Sequence, residues 1–170
     1  MNTSIVIANV IHSTPVWVWF VLAAVIVLGL QRTQARTVTV SRIVLLPLLM
    51  FVMMVSSVFT TTSPDFVLPV FAVALAVGAG FGNKLGQASG ARAGEAPGTI
   101  RVEGEWWSLA LVLGAFVLHY AFNVVEATDA TLAASDGFVL VRTLLLSALG
   151  GIFAGRAATV VWLGTRPVSA

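Results

Sequence analysis

Long apolar runs recur along this chain, with only short polar stretches between them. A helix needs about 20 mostly apolar residues to cross a hydrocarbon core of about 30 Å. Hydrophobic residues make up 58% of the 170 residues and charged residues only 9%, whereas a soluble domain carries about 25% charged residues. The sequence therefore predicts an all-α integral membrane protein, a single transmembrane domain over residues 1–170.

The apolar runs predict five membrane-spanning helices. Their approximate limits are residues 16–30, 43–61, 66–82, 106–126 and 138–162. The first helix opens at Pro15, since proline suits the first turn of a helix. Residues 1–15 lack the basic region and cleavage site of a secretory signal, and they either extend the first helix or lie on the membrane surface.

The positive charges predict the orientation of these helices, because Lys and Arg are retained on the cytoplasmic side of a membrane. With alternating spans, the loops at residues 31–42 and 83–105 lie on the same side as the C-terminus. That side carries eight of the nine Lys and Arg residues, and Arg142 alone falls on the other side. We therefore expect a cytoplasmic C-terminus, an outer N-terminus and an acidic outer face.

The two predicted cytoplasmic loops each contain a short strand-like pattern. The segments RTVTVSR, before the second span, and TIRVEGE, before the fourth, alternate β-branched with polar residues. These segments are expected to pair as a two-stranded β-ribbon. Glycine and polar residues fill the rest of the second loop, which is typical of a linker.

Polar residues interrupt the fourth predicted span. His119, Asn123 and Glu126 follow one another at helical spacings of four and three residues, so they share one face of the helix. Such residues are costly in lipid, and that face must contact protein or water. Arg142 in the fifth span lies at nearly the depth of Glu126, and the two side chains are expected to be close enough for an ion pair.

This polar stripe has two interpretations. In the first, His119, Asn123, Glu126 and Arg142 line an outward-facing pocket for an ion, a proton or a small polar solute. Tyr120, His12 and Asp65 would complete that pocket. In the second, Glu126 and Arg142 form a structural salt bridge, while His119 and Asn123 make hydrogen bonds between helices.

The residues that commonly hold metals or haem are sparse. Cysteine is absent, which excludes disulfides and thiolate ligands. His12, His119 and the trio Met50, Met53 and Met54 offer imidazole and thioether groups for haem or copper, but the two histidines are far apart in the topology. Methionine usually fills gaps in a core. We expect neither a cofactor nor a metal.

Motifs for catalysis and nucleic-acid binding are also missing from the sequence. It contains no phosphate-binding loop, no nucleophile elbow and no zinc-helix pattern, so we do not expect an enzyme. The formal charge of +2 is better explained by membrane topology than by a nucleic-acid partner. Membrane lipid is the partner that the composition predicts.

Rows of small residues predict close contacts between helices. Gly78 and Gly82 lie in one row of the third span, and Gly151 and Gly155 lie in one row of the fifth. Each of these helices carries a second small-residue row, which is more than one neighbour requires. We therefore expect a homo-oligomer, with a dimer favoured and these four glycines at its interface.

Two stretches of sequence carry a resemblance. HSTPVWVWFVLAAVIVLGLQRTQART, followed by SRIVLLPLLM, resembles the opening hairpin of a group of small bacterial inner-membrane proteins of unknown function. TIRVEGEWWSLALVL is similar to the second cytoplasmic loop and fourth span of the same group. The resemblance implies a multi-pass protein of the bacterial inner membrane, and it implies no activity and no site residue.

Three classes of function remain open from the sequence. The favoured one is a small transporter or channel for an ion or polar solute that uses the outward-facing pocket. The second is a non-catalytic assembly or accessory protein of the membrane. The third is a redox protein that binds haem or a metal.

Overall fold

The computed structural model describes residues 16–31, 34–45, 47–48, 52 and 64–166. The predictions for residues 1–15 with His12, for most of the second span and for Met50, Met53 and Met54 lie outside these residues. The described elements are, in chain order, α1 (Val16–Gln31), β1 (Arg36–Thr39), α2 (Pro64–Gln87), β2 (Arg92–Ala93), β3 (Thr99–Val102), α3 (Trp106–Thr128), α4 (Ala130–Ala133) and α5 (Asp136–Gly164). Residues 40–45, directly after β1, are also helical.

Three of the described helices are long and apolar enough to cross a membrane, namely α2, α3 and α5. They contain 24, 23 and 29 residues, which gives lengths of about 36, 35 and 43 Å at about 1.5 Å per residue. They correspond to the predicted third, fourth and fifth spans. The described helix α1 has 16 residues, of which 14 are hydrophobic, and the count of five spans stays a prediction.

Helices α2 and α5 run parallel and pack very closely. Gly78 and Gly82 lie against the row that contains Gly151 and Gly155, and a Cβ atom added at any of the four would overlap backbone atoms of the opposite helix. At the end of this contact, the Thr159 hydroxyl donates a 2.7 Å hydrogen bond to the side-chain oxygen of Asn83. Because glycine has no side chain, the two helix backbones can touch along this row.

This packing changes the role expected for the four glycines. The sequence places them between subunits, whereas the structure uses them inside one chain, where the opposite helix covers them. The pattern fails here because a row of small residues fits any close neighbour, and it does not distinguish a helix of the same chain from one of a second subunit. The homo-oligomer stays a prediction without assigned interface residues.

Helix α3 runs antiparallel to α5, and contacts at both ends fix the pair. At one end Arg156 of α5 pairs with Glu105, directly before α3. At the other end the rings of Phe122 and Phe138 meet edge to face, with their centroids 5.6 Å apart. The connection between the helices contains α4, whose first turn is capped by the Asp129 side chain.

A three-stranded antiparallel sheet, in the order β1-β3-β2, forms from the two loops. Val38 of β1 lies opposite Ile100 of β3, so the predicted ribbon between these segments is confirmed. The third strand, β2, is a feature that the sequence does not predict, and it occupies the stretch interpreted as a linker. Its hairpin with β3 turns at Gly98, whose φ of +74° suits glycine.

The sheet packs on the last turns of α5. Ile100 is fully buried there beside Val160, and its side chain fills the space left by Gly164. With 29 residues, α5 is longer than the roughly 20 residues that one crossing of a hydrocarbon core needs, and its last turns carry the sheet. We call this the sheet end of the bundle, and the end with Thr128 and Asp136 the far end.

Candidate functional site

The described polar residues of the predicted outward-facing pocket lie on the half of the bundle toward the far end. Glu126 Oε1 and Arg142 Nη1 are 2.5 Å apart, which confirms the expected ion pair. These side chains are 34% and 38% exposed, so solvent screens the pair and its contribution to stability is small. Asp65 is exposed at the start of α2.

The other members of the predicted pocket make contacts within α3. His119 Nδ1 lies 3.1 Å from the carbonyl oxygen of Ala115, and the Asn123 amide donates to the carbonyl of His119 at 2.7 Å. Tyr120 stacks on Phe116 with ring centroids 6.4 Å apart. The structure thus brings Glu126 and Arg142 together, while His119 and Asn123 contact carbonyl groups of their own helix. A shared pocket stays a prediction.

A cavity of about 330 Å³ lies instead at the sheet end. Its walls come from β1 and the residues on either side of it, the end of β3, the residues around the start of α3, and α5. The side chains that line it are Gln34, Arg36, Val38, Arg42, Ile43, Pro47, Val102, Glu103, Ser108, Phe153, Arg156, Ala157 and Val160. We call it the sheet-end cavity.

Simple periodicities direct these side chains toward one another. In β1, Arg36 and Val38 share one face because alternate residues of a strand point the same way. In α5, Phe153, Arg156 and Val160 are spaced by three and four residues and form one stripe. The chain enters the helical segment that carries Arg42 directly after β1, where the Val40 amide donates to the carbonyl of Gly98 at 3.1 Å.

The wall formed by α5 contains a largely buried ion pair. Arg156 Nη2 donates to Glu105 Oε2 at 2.8 Å, and the two side chains are only 17% and 16% exposed. Within the described part of the chain, Arg156 Nε and Glu105 Oε1 are buried without a hydrogen-bond partner. A buried donor with no acceptor is costly. Arg156 therefore retains unused hydrogen-bonding capacity beside the cavity.

Glu105 also occupies the N-cap position of α3, but its carboxylate makes no capping hydrogen bond there. The first amides of a helix carry a partial positive charge and commonly receive an anion or a capping oxygen. Ser108, in the first turn of α3, lies on the cavity wall. The start of α3 therefore adds to the positive potential around the cavity.

The charges of the lining favour an anion. The guanidinium groups of Arg36, Arg42 and Arg156 line the cavity with the carboxylate of Glu103, and Arg156 also pairs with Glu105, so one positive charge is left over. Partial burial, followed by the positive charge of Arg156, lowers the pKa of Arg36. Arginine stays protonated at neutral pH in spite of such a shift, so the cavity holds cations that repel one another.

Sequence reasoning missed this cavity because it treated both loops as connections. One signal was present: Arg156 lies inside the predicted span at residues 138–162, and an ionisable residue within a span indicates a functional position. Its partner Glu105 precedes the predicted fourth span.

The expected absence of a bound metal stays a prediction. In the described ranges, no group of three or more His, Asp or Glu side chains is suited to hold a metal ion.

Comparison with known proteins adds a family and no activity. A model of a family of unknown function matches residues 2–169. No curated protein and no solved structure matches the chain. The comparisons therefore supply no ligand or site residue, and the bacterial inner-membrane location implied by the resemblance stays a prediction.

Proposed function

The chain belongs to the family of unknown function DUF6622, and we propose that it is a multi-pass membrane protein that binds an anion in the sheet-end cavity. The observation that carries the proposal is the convergence of Arg36, Arg42 and Arg156 on one cavity. Three cations held together without an equal number of carboxylates cost free energy. An anion between them removes that cost.

The strength of such binding comes from charge attraction at short range and from the hydrogen bonds of the guanidinium groups. At an effective dielectric constant of about 20, two unit charges about 4 Å apart attract by about 4 kcal/mol. Guanidinium groups also bind carboxylate and phosphate oxygens in pairs of parallel hydrogen bonds. The cavity volume of about 330 Å³ accepts a solute larger than a simple inorganic ion.

The charge distribution supports a cytoplasmic sheet end. Of the eight described Lys and Arg residues, seven lie at the sheet end and Arg142 lies toward the far end. The seven are Arg36, Arg42, Lys84, Arg92, Arg101, Arg156 and Arg166. By the positive-inside rule, we place this end in the cytoplasm of a bacterial inner membrane. The anion would then enter from the cytoplasm.

Transport of the anion is the role that we propose for this binding. Its support is that α5, a helix long and apolar enough to cross a membrane, forms one wall of the cavity. An accessory protein that binds an anion without moving it is the alternative. Flux of the bound anion into proteoliposomes distinguishes the two, because only a transporter moves it across the bilayer.

Binding itself is tested by thermal unfolding of the purified protein in detergent. Phosphate, sulfate and small carboxylates are titrated against sodium chloride at equal ionic strength. A ligand at about 100 times its Kd stabilises the folded state by about 2.7 kcal/mol, so a clear rise in Tm is expected for at least one anion. Absence of any shift would disprove the proposal.

A matched pair of variants locates the binding. Arg42→Gln removes one lining charge and should lower the affinity at least about tenfold. Arg101→Gln is the control, because Arg101 lies on the same sheet, is exposed and does not line the cavity. Equal loss of affinity in both variants would indicate screening by general surface charge and would contradict a specific site.

A further inference from the structure

The lining of the sheet-end cavity has two chemically different parts. Arg36, Arg42 and Arg156 supply the cationic part, and Ile43, Phe153 and Val160 belong to an apolar part. A hydrated inorganic anion would gain from the first part alone. A ligand that fills both parts must carry an anionic group and an apolar group next to each other.

The volume supports a ligand of that kind. One water takes up about 30 Å³ in the liquid, and the cavity measures about 330 Å³. A phosphate group alone would leave most of this space to water, in contact with apolar side chains. The cavity is also partly open to its surroundings, so a ligand can occupy it while the rest of the molecule lies outside.

The depth of the cavity matches the headgroup region of a bilayer. Trp106 and Trp107 are 71% and 67% exposed in the first turn of α3, and exposed tryptophans concentrate at the membrane surface. The residue before Trp106 is Glu105, which pairs with Arg156 of the cavity wall. The cationic part therefore lies next to the level at which lipid phosphates are found.

A further exposed tryptophan, Trp162, indicates the same level of the membrane surface. Trp162, on α5 beyond Arg156, is 52% exposed, and the Arg166 guanidinium lies 3.4 Å from the centre of its ring. Arginine stacked on an interfacial tryptophan is placed to meet lipid phosphates. These residues add cationic and aromatic groups on the sheet side of the bundle.

We infer that the ligand of the sheet-end cavity is an anionic phospholipid, held by its phosphate group on Arg36, Arg42 and Arg156 and by the start of an acyl chain along Ile43, Phe153 and Val160. This inference rests on the proposed binding of an anion in the same cavity. It specifies that the anion is part of an amphiphile. A soluble phosphorylated compound shares the phosphate chemistry and is the competing source.

Three probes separate these ligands in one thermal-unfolding titration of the full chain in detergent. They are glycerol phosphate, a short-chain phosphatidylglycerol and a phosphatidylcholine with the same chains. The phosphatidylglycerol should bind at least about tenfold more tightly than glycerol phosphate, because each buried methylene adds to the affinity. It should also bind at least about tenfold more tightly than the phosphatidylcholine, which has no net charge.

Two variants test the two parts of the lining separately. Arg42→Gln should weaken the binding of phosphatidylglycerol and of glycerol phosphate alike, about tenfold each. Ile43→Thr keeps the branch at Cβ, removes the terminal methyl group and introduces a hydroxyl, so it should weaken the binding of phosphatidylglycerol only. Arg101→Gln again serves as the control, with both affinities unchanged.

The outcomes distinguish this inference from the proposed function. If glycerol phosphate and phosphatidylglycerol bind equally well and Arg42→Gln weakens both, the ligand is a soluble anion: the inference is overturned and the proposed function stands. If phosphatidylcholine equals phosphatidylglycerol and Arg42→Gln changes neither, the lipids bind as detergents do and the inference is overturned. If no probe shifts the Tm, the inference is overturned, and the titration with phosphate, sulfate and small carboxylates decides the proposed function separately.

Discussion

Removal of the Glu105 carboxylate is expected to weaken the folded protein and to strengthen its anion binding at the same time. The change Glu105→Gln deletes one charge of the buried pair and leaves the other, on Arg156, without compensation. An uncompensated buried guanidinium destabilises the fold. The same charge faces the sheet-end cavity, where it becomes fully available to an anion.

The geometry gives the magnitudes. The paired atoms are 2.8 Å apart and the side chains are 17% and 16% exposed. Coulomb attraction at this separation is about 6 kcal/mol at an effective dielectric constant of about 20, and the desolvation of both charges offsets part of it. Loss of one partner of a buried pair costs about 3–5 kcal/mol, and we expect the lower end because glutamine retains an acceptor. The affinity for the anion should rise about tenfold.

The stability is measured by unfolding in mixed micelles with increasing denaturing detergent, followed by tryptophan fluorescence. Glu103→Gln is the control, since Glu103 lies two residues away, lines the cavity and is exposed. It should change the free energy of unfolding by less than about 0.5 kcal/mol. The reasoning is refuted if both variants are equally stable, or if Glu105→Gln lowers the affinity for the anion.

Three further predictions concern other parts of the fold. Arg36→Gln should leave the anion-free protein as stable, or slightly more stable, between about pH 5 and 9. The pKa of Arg36 is lowered in the folded state, so the charged form of Arg36 destabilises the fold at every pH below that pKa. Measurement of the Tm across this pH range tests the prediction. Gly78→Ala should cost about 3 kcal/mol in detergent unfolding, because its Cβ would overlap the backbone of α5, whereas Gly80→Ala, which meets open space, should be neutral or stabilising. Arg142→Gln should lower the free energy of unfolding by about 1 kcal/mol or less and leave the anion affinity unchanged, because its ion pair with Glu126 is about one-third exposed and lies away from the cavity. Detergent unfolding and the anion titration by Tm test these two expectations.

The helices were predictable because their signal is local. An apolar run long enough to cross a bilayer specifies a helix without reference to the rest of the chain, and α2, α3 and α5 follow from that signal. The pairing of β1 with β3 was predictable for a related reason, since both segments alternate β-branched and polar residues. β2 has only two residues, Arg92 and Ala93, and no periodicity can be recognised over so short a strand.

The partners of the glycines and the cavity were not predictable from local patterns. Gly78 permits a close approach, but its sequence neighbours do not specify that Ala148 is the residue approached. Arg36 and Arg156 are separated by most of the chain and meet only because the sheet packs on the end of α5. The Glu126–Arg142 pair was predictable because both residues lie in predicted spans that adjoin each other along the chain.

The sheet-end cavity combines two arrangements that are unfavourable for stability. A buried ion pair is often no more stable than well-packed apolar residues of similar volume, and the pair of Glu105 and Arg156 leaves one buried atom of each side chain unpaired. Nearby, Arg36 carries a charge that Arg156 disfavours. An apolar side chain at either arginine would avoid these costs. A bound anion would lower both costs, because it would accept from the unpaired Nε of Arg156 and screen Arg156 from Arg36. The proposed binding would thus account for the position of these charges.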